Sequence, residues 1–173
     1  MDYQNKQLYC ECQLVSVWNA ARFWGYEDLV PKMGTRKYKS ICKKARCLCG
    51  SAININFEIE RLGLGLLPLS WRENSICELL PCAMKVFCER GYHSVLAIAH
   101  KNGKKNKSWT NKFLITNWRK YHIAWISWGE ILACAALSQP PMLIAPKRMI
   151  RNLAEFRKIV LPPCEEDHSY FQK

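Results

Sequence analysis

Between residues 84 and 127 the chain divides into four short runs, Met84 to Phe87, Tyr92 to Ala99, Lys112 to Thr116 and His122 to Ser127. Each is rich in β-branched and aromatic residues and is bounded by polar turns, which is the pattern of strands rather than helices. The brief connections predict an antiparallel meander. The lysine-rich stretch 101–107 reads as the tip of a hairpin joining the second run to the third. A helix predicted from Gly129 to Leu137 breaks the meander, Pro140-Pro141 ends that helix, and Met142 to Ala145 supplies a last strand.

The first third of the chain carries the other periodicity. From Gln13, the apolar residues Leu14, Val15, Val17, Trp18, Ala21 and Trp24 recur at three- and four-residue steps until Gly25, which predicts a buried helix. A second helix is expected from Ala52 to Leu62 with Gly63 as its left-handed end. The basic, cysteine-bearing segment between them reads as a connector. At 173 residues, with 49% hydrophobic content and no repeat or linker-like stretch, residues 1–173 are expected to form one domain. The fold class is α+β, with N-terminal helices packed on a C-terminal antiparallel β-sheet.

A formal charge of +12 predicts attraction to acidic partners or polyanions. The ten cysteines do not follow the logic of a small disulfide-stapled secreted chain, and the polar opening Met1 to Lys6 does not read as a signal peptide. The longest apolar runs fall short of the roughly 20 residues needed to span a bilayer. The expectation is a cytoplasmic protein with no membrane span.

Chemistry concentrates at three positions. A thiol becomes nucleophilic as its thiolate, which the partial positive charge at a helix N-terminus stabilises. Cys12 stands where the first helix begins. A thiolate nucleophile needs an imidazole base, and His93 opens the strand that runs on through Ser94 to Ala99. Antiparallel pairing through the 101–107 turn brings the start of that strand beside the end of the next, so His93 and Asn117 become neighbours. A carboxamide at Asn117 would then fix the ring's tautomer and leave its other nitrogen for sulfur.

Several segments resemble the papain-like cysteine peptidases, and within them the branch that removes double-glycine leader peptides from bacteriocins. They are Glu11-Cys12 with Phe23-Trp24-Gly25, then Gly34-Thr35, then Glu60 to Leu64, then Tyr92 to Val95 followed by Thr116-Asn117-Trp118. The likeness covers most of residues 4 to 132. It implies a papain-like fold and a hydrolase or related acyl-transfer activity on a peptide or protein substrate, with a Cys-His-Asn triad of Cys12, His93 and Asn117 and no cofactor. It also implies a glutamine upstream of the nucleophile as oxyanion donor, for which Gln7 is the candidate. A second register, Gln4 with Cys10, has the commoner family spacing. Gln13 stands where the family usually has glycine.

Two other readings attach to the remaining residues. Cys42, Cys47 and Cys49, joined by Cys10, Cys12 or a histidine, would be the donors of a zinc site, but no pair of Cys-x-x-Cys motifs supports it, and no metal is expected. The basic clusters at 36–46 and 101–107, with Tyr38 and Trp109 as stacking groups, allow a catalytically idle scaffold that binds an acidic protein or nucleic acid through its Lys/Arg loops.

Overall fold

The computed structural model describes residues 3–4, 11–45, 55–88, 91–104, 107–118 and 122–160. Six strands form one sheet in which every pairing is antiparallel: β1 (Leu64–Pro68), β2 (Cys82–Cys88), β3 (Gly91–Lys101), β4 (Lys112–Trp118), β5 (His122–Ser127) and β6 (Met142–Pro146). Their order across the sheet is β1-β6-β2-β3-β4-β5. The run from β2 to β5 is the expected meander. The last strand does not extend it: β6 returns to lie between β1 and β2, with Leu66 opposite Ile144 and Cys82 opposite Leu143.

Helices cover both faces of this sheet. On one face lie α1 (Cys12–Phe23), α2 (Arg36–Ala45) and α3 (Asn56–Arg61). They bury Leu14, Trp18, Tyr38, Ile41 and Ile59 against Leu64, Leu96, Ile98 and Ile144. On the other face lie α4 (Glu73–Cys77), α5 (Trp128–Cys134) and α6 (Lys147–Val160). Here Ile76, Trp128, Ile131 and Ile150 pack on Met84, Val95, Ala97, Phe113 and Ile115. The alternation along β3, with Leu96 and Ile98 on one side and Val95 and Ala97 on the other, separates the two cores.

The architecture is therefore α+β, but the helices do not all precede the sheet or share one side of it. The segment expected to be a connector contains α2. Its Tyr38, Ile41, Cys42 and Ala45 fall at i, i+3, i+4 and i+7 and are buried, while Lys39, Lys43 and Lys44 face solvent. The expected second helix is present as α3, ended by Gly63 at φ 67°, and 52–54 of the range assigned to it lie outside the described residues. The expected helix 129–137 is the shorter α5, whose N-cap Ser127 accepts a hydrogen bond from the Glu130 amide at 3.2 Å. Among the described residues no helix is long and apolar enough to cross a membrane.

Candidate active site

α1 is the central helix of its layer, with every residue from Leu14 to Ala21 buried. Burial on all sides leaves polar residues within it no choice but to find partners, and those partners fix how the helix lies on the sheet. Ser16 Oγ and Ser94 Oγ share a hydrogen bond of 3.0 Å. Asn19 Nδ2 donates to Thr116 Oγ1 at 3.0 Å and to the Gln4 carbonyl at 2.8 Å, while the Gln4 amide donates back to Asn19 Oδ1 at 2.8 Å. The helix is thus tied to β3 at one point, to β4 at another, and to the N-terminal segment beside it.

Cys12 is the first residue of α1 and is partly exposed. It lies one helical turn before Ser16, so the Ser16–Ser94 bond sets the turn containing Cys12 over the beginning of β3. The residue before it, Glu11, is 3% exposed, and its carboxylate accepts a 2.7 Å hydrogen bond from the Tyr38 hydroxyl of α2. Gln4 Nε2 donates to the same hydroxyl at 3.2 Å. Burial, followed by the hydrogen bond to Glu11, holds the Tyr38 phenol protonated well above its ordinary range. This chain of contacts anchors the start of α1 to α2.

His93, next to Ser94, is buried near the start of β3 opposite Val86. Its Nε2 lies 2.7 Å from the backbone carbonyl oxygen of Asn117. A carbonyl only accepts, so Nε2 carries the proton and Nδ1 keeps its lone pair. Burial pushes the pKa of the ring down from 6.5, and the bond to the Asn117 carbonyl opposes that shift. The ring is accordingly neutral at physiological pH, with a single tautomer set by the backbone.

The neighbouring of His93 and Asn117 follows from the β3–β4 hairpin as expected, but the group on the ring is the main-chain oxygen of Asn117 and not its carboxamide. The reason is local. Asn117 has φ 56°, a left-handed conformation that asparagine tolerates better than most residues, and it sits in a register irregularity between Ile115 and Trp118 where β4 meets β5. The irregularity turns the carbonyl toward His93 and leaves the side-chain nitrogen 3.4 Å from the Ser94 carbonyl.

A cavity of about 130 Å³ opens beside the Ser16–Ser94 bond, lined by Gln13 and Ser16 of α1, Lys85 and Ser94 of the β2–β3 pair, and Met142 and Ile144 of β6. Its lining includes the residue after Cys12 and the residue after His93. The walls are mostly apolar, and Lys85 supplies the charge.

Gln7 lies outside the described residues, as do Cys10, Cys47 and Cys49. Among the described residues no three His, Cys, Asp or Glu side chains gather as they would around a metal ion. Two features of the site were not anticipated. The Ser16–Ser94 bond joins small polar residues 78 positions apart, and neither carries a sequence signal. The Glu11–Tyr38 bond had one, because Tyr38 belongs to the helical spacing hidden within the basic run. No protein-family model matches the chain, and no curated protein matches it.

Proposed function

We propose that the protein is a cysteine-nucleophile hydrolase with a papain-like arrangement, cleaving an amide bond of a peptide or protein. The observation that carries this reading is the orientation of His93: neutral, its Nε2–H spent on the Asn117 carbonyl, at the start of the strand to which α1 is tied one turn beyond Cys12. In this reading Nδ1 takes the proton of the Cys12 thiol. The sulfur attacks the scissile carbonyl carbon, and the amine leaves with the proton returned from His93. Water, deprotonated by the same ring, then hydrolyses the thioester and frees the sulfur.

The Asn117 carbonyl stabilises the imidazolium that forms between these steps, and the Asn117 side chain is secondary. Gln7 is the proposed oxyanion donor. The cavity lined by Gln13, Ser94 and Ile144 receives a substrate side chain next to the scissile bond.

Mass-resolved labelling with chloroacetamide across pH 5–9 tests the reading. The expected result is preferential modification of Cys12 with a thiolate already formed below the ordinary thiol pKa of about 8.5. Labelling should slow by about tenfold or more in His93→Ala. Asn117→Gly, which keeps the carbonyl and suits the left-handed backbone, should retain most of it. Slow labelling spread over the ten cysteines and indifferent to His93→Ala would overturn the proposal.

A further inference from the structure

The far end of the β3–β4–β5 unit carries a surface that the proposed hydrolase does not use. From residue 90 to residue 129 the chain has eight Lys or Arg and no Asp or Glu. The antiparallel pairing sets Lys101 directly opposite Lys112, so the charges at this end of the unit are adjacent in space as well as in sequence.

The register shows which side chains share a face. Leu114 packs against the α1-side core, and its partner on β5 is Trp125. Lys112 lies two residues before Leu114, and Lys101 is the register partner of Lys112. Ile123 lies two residues before Trp125. Strand alternation therefore sets Lys101, Lys112, Ile123 and Trp125 on one face. Trp125 is 38% exposed and Ile123 40% exposed. The Lys101 ammonium reaches across to lie 4.1 Å from the centre of the Trp125 ring. Trp109, 57% exposed with the Lys107 ammonium 5.8 Å from its ring, lies beside Gly129 of α5 on the opposite side of the sheet and is not part of this face. The acidic Glu73 does not neutralise this surface: it is bonded to Asn111 and paired with His100 in a cluster beside Phe113 and Trp128 on the opposite face.

We propose that this face binds single-stranded nucleic acid, with a base stacked on Trp125 and phosphates held by Lys101 and Lys112. An acidic protein engages the lysines but does not regularly set a flat ring beside each of its charges, as stacking on the exposed Trp125 indole beside Lys101 requires. A duplex hides the faces of its bases. Only an unpaired strand offers both groups at each nucleotide. In the unbound protein Lys101 lies against the ring that a base will occupy, and binding moves it onto a phosphate without disturbing the core. The surface is independent of Cys12 and His93, so either proposal can fail without the other.

The test is fluorescence anisotropy of dye-labelled 20-nucleotide oligo(dT) and oligo(U) with the full chain, from 50 to 200 mM salt. Trp125→Ala should weaken binding by about tenfold, the loss of one stacked base. Lys101→Gln with Lys112→Gln should lower the slope of log affinity against log salt by about 1.4, for two phosphates on a single strand. Lys39→Gln with Lys43→Gln, an equal charge change on the exposed side of α2, should shift affinity by less than about twofold. Cys12→Ala should bind like the parent. The proposal is overturned if the two lysine pairs lose affinity equally, if Trp125→Ala binds like the parent, if duplex DNA of the same length binds as tightly, or if poly-glutamate displaces the oligonucleotide at equal charge. The paired Lys→Gln changes are at exposed positions, so the test survives even if Trp125→Ala fails to fold.

Discussion

The two faces of the sheet are built from different materials. The core against α4, α5 and α6 is almost wholly apolar, with Phe113, Trp128 and Ile131 at its centre. The face under α1 buries Gln4, Glu11, Ser16, Asn19, Glu58, Ser94 and Thr116 among its hydrophobic residues, and joins them in hydrogen bonds that cross between elements. Apolar packing is tolerant of small slides, whereas a buried donor and acceptor must meet within a few tenths of an ångström or lose the bond. The apolar face supplies bulk stability. The polar face supplies position, by fixing Ser16 of α1 against Ser94 of β3.

That contrast can be broken in stages. Phe113→Ala, at a fully buried site in contact with Trp128, should cost about 4 kcal/mol in denaturant unfolding. If the apolar face serves stability alone, Cys12 labelling in the remaining folded protein should be unchanged. Glu58→Ala should cost about 3 kcal/mol, because it strands the buried Trp18 indole N–H, which donates to Glu58 at 2.7 Å, and removes the partner of Arg61. Its loss should also be visible in Cys12 reactivity, since Trp18 belongs to α1.

Ser94→Ala removes one bond worth about 1 kcal/mol, yet it should change Cys12 labelling more than Phe113→Ala does. Equal labelling in the two variants would erase the distinction between the faces. The smallest effect is in pH. The folded protein holds His93 below its unfolded pKa of about 6.5, so the unfolded chain binds the extra proton first as the solution is acidified. Stability from this group is complete above pH 6.5 and is lost as pH falls toward the folded pKa. His93→Gln should flatten that part of the stability profile, measured by chemical unfolding between pH 5 and 7.

Much of this was legible before any coordinates. Short runs rich in β-branched and aromatic residues marked β2 to β5, the lysine tip marked their central hairpin, and the three- and four-residue spacing of Leu14 to Trp24 marked α1. The neighbouring of His93 and Asn117 followed from the hairpin alone. Other elements were hidden for physical reasons. The helical spacing of Tyr38, Ile41, Cys42 and Ala45 is submerged in a lysine run, so α2 read as a connector. β1 is five residues with an internal glycine and a terminal proline, and it exists as a strand through its pairing with β6, a partner some 80 residues away. The use of the Asn117 carbonyl depended on a left-handed residue in an irregular register, which no local pattern announces.

The insertion of β6 between β1 and β2 also governs the order in which the molecule can be assembled. The β2–β5 meander closes through short connections and can form as soon as it has been synthesised. β1, made earlier, has no seat until residues 142–146 arrive to pair with it on one side and with β2 on the other. Until then Leu64, Leu66 and the helices that rest on them have an unfinished floor, exposed to whatever apolar surface is nearby. The slowest and most aggregation-exposed moment in the life of this chain is therefore expected to be the wait for its sixth strand.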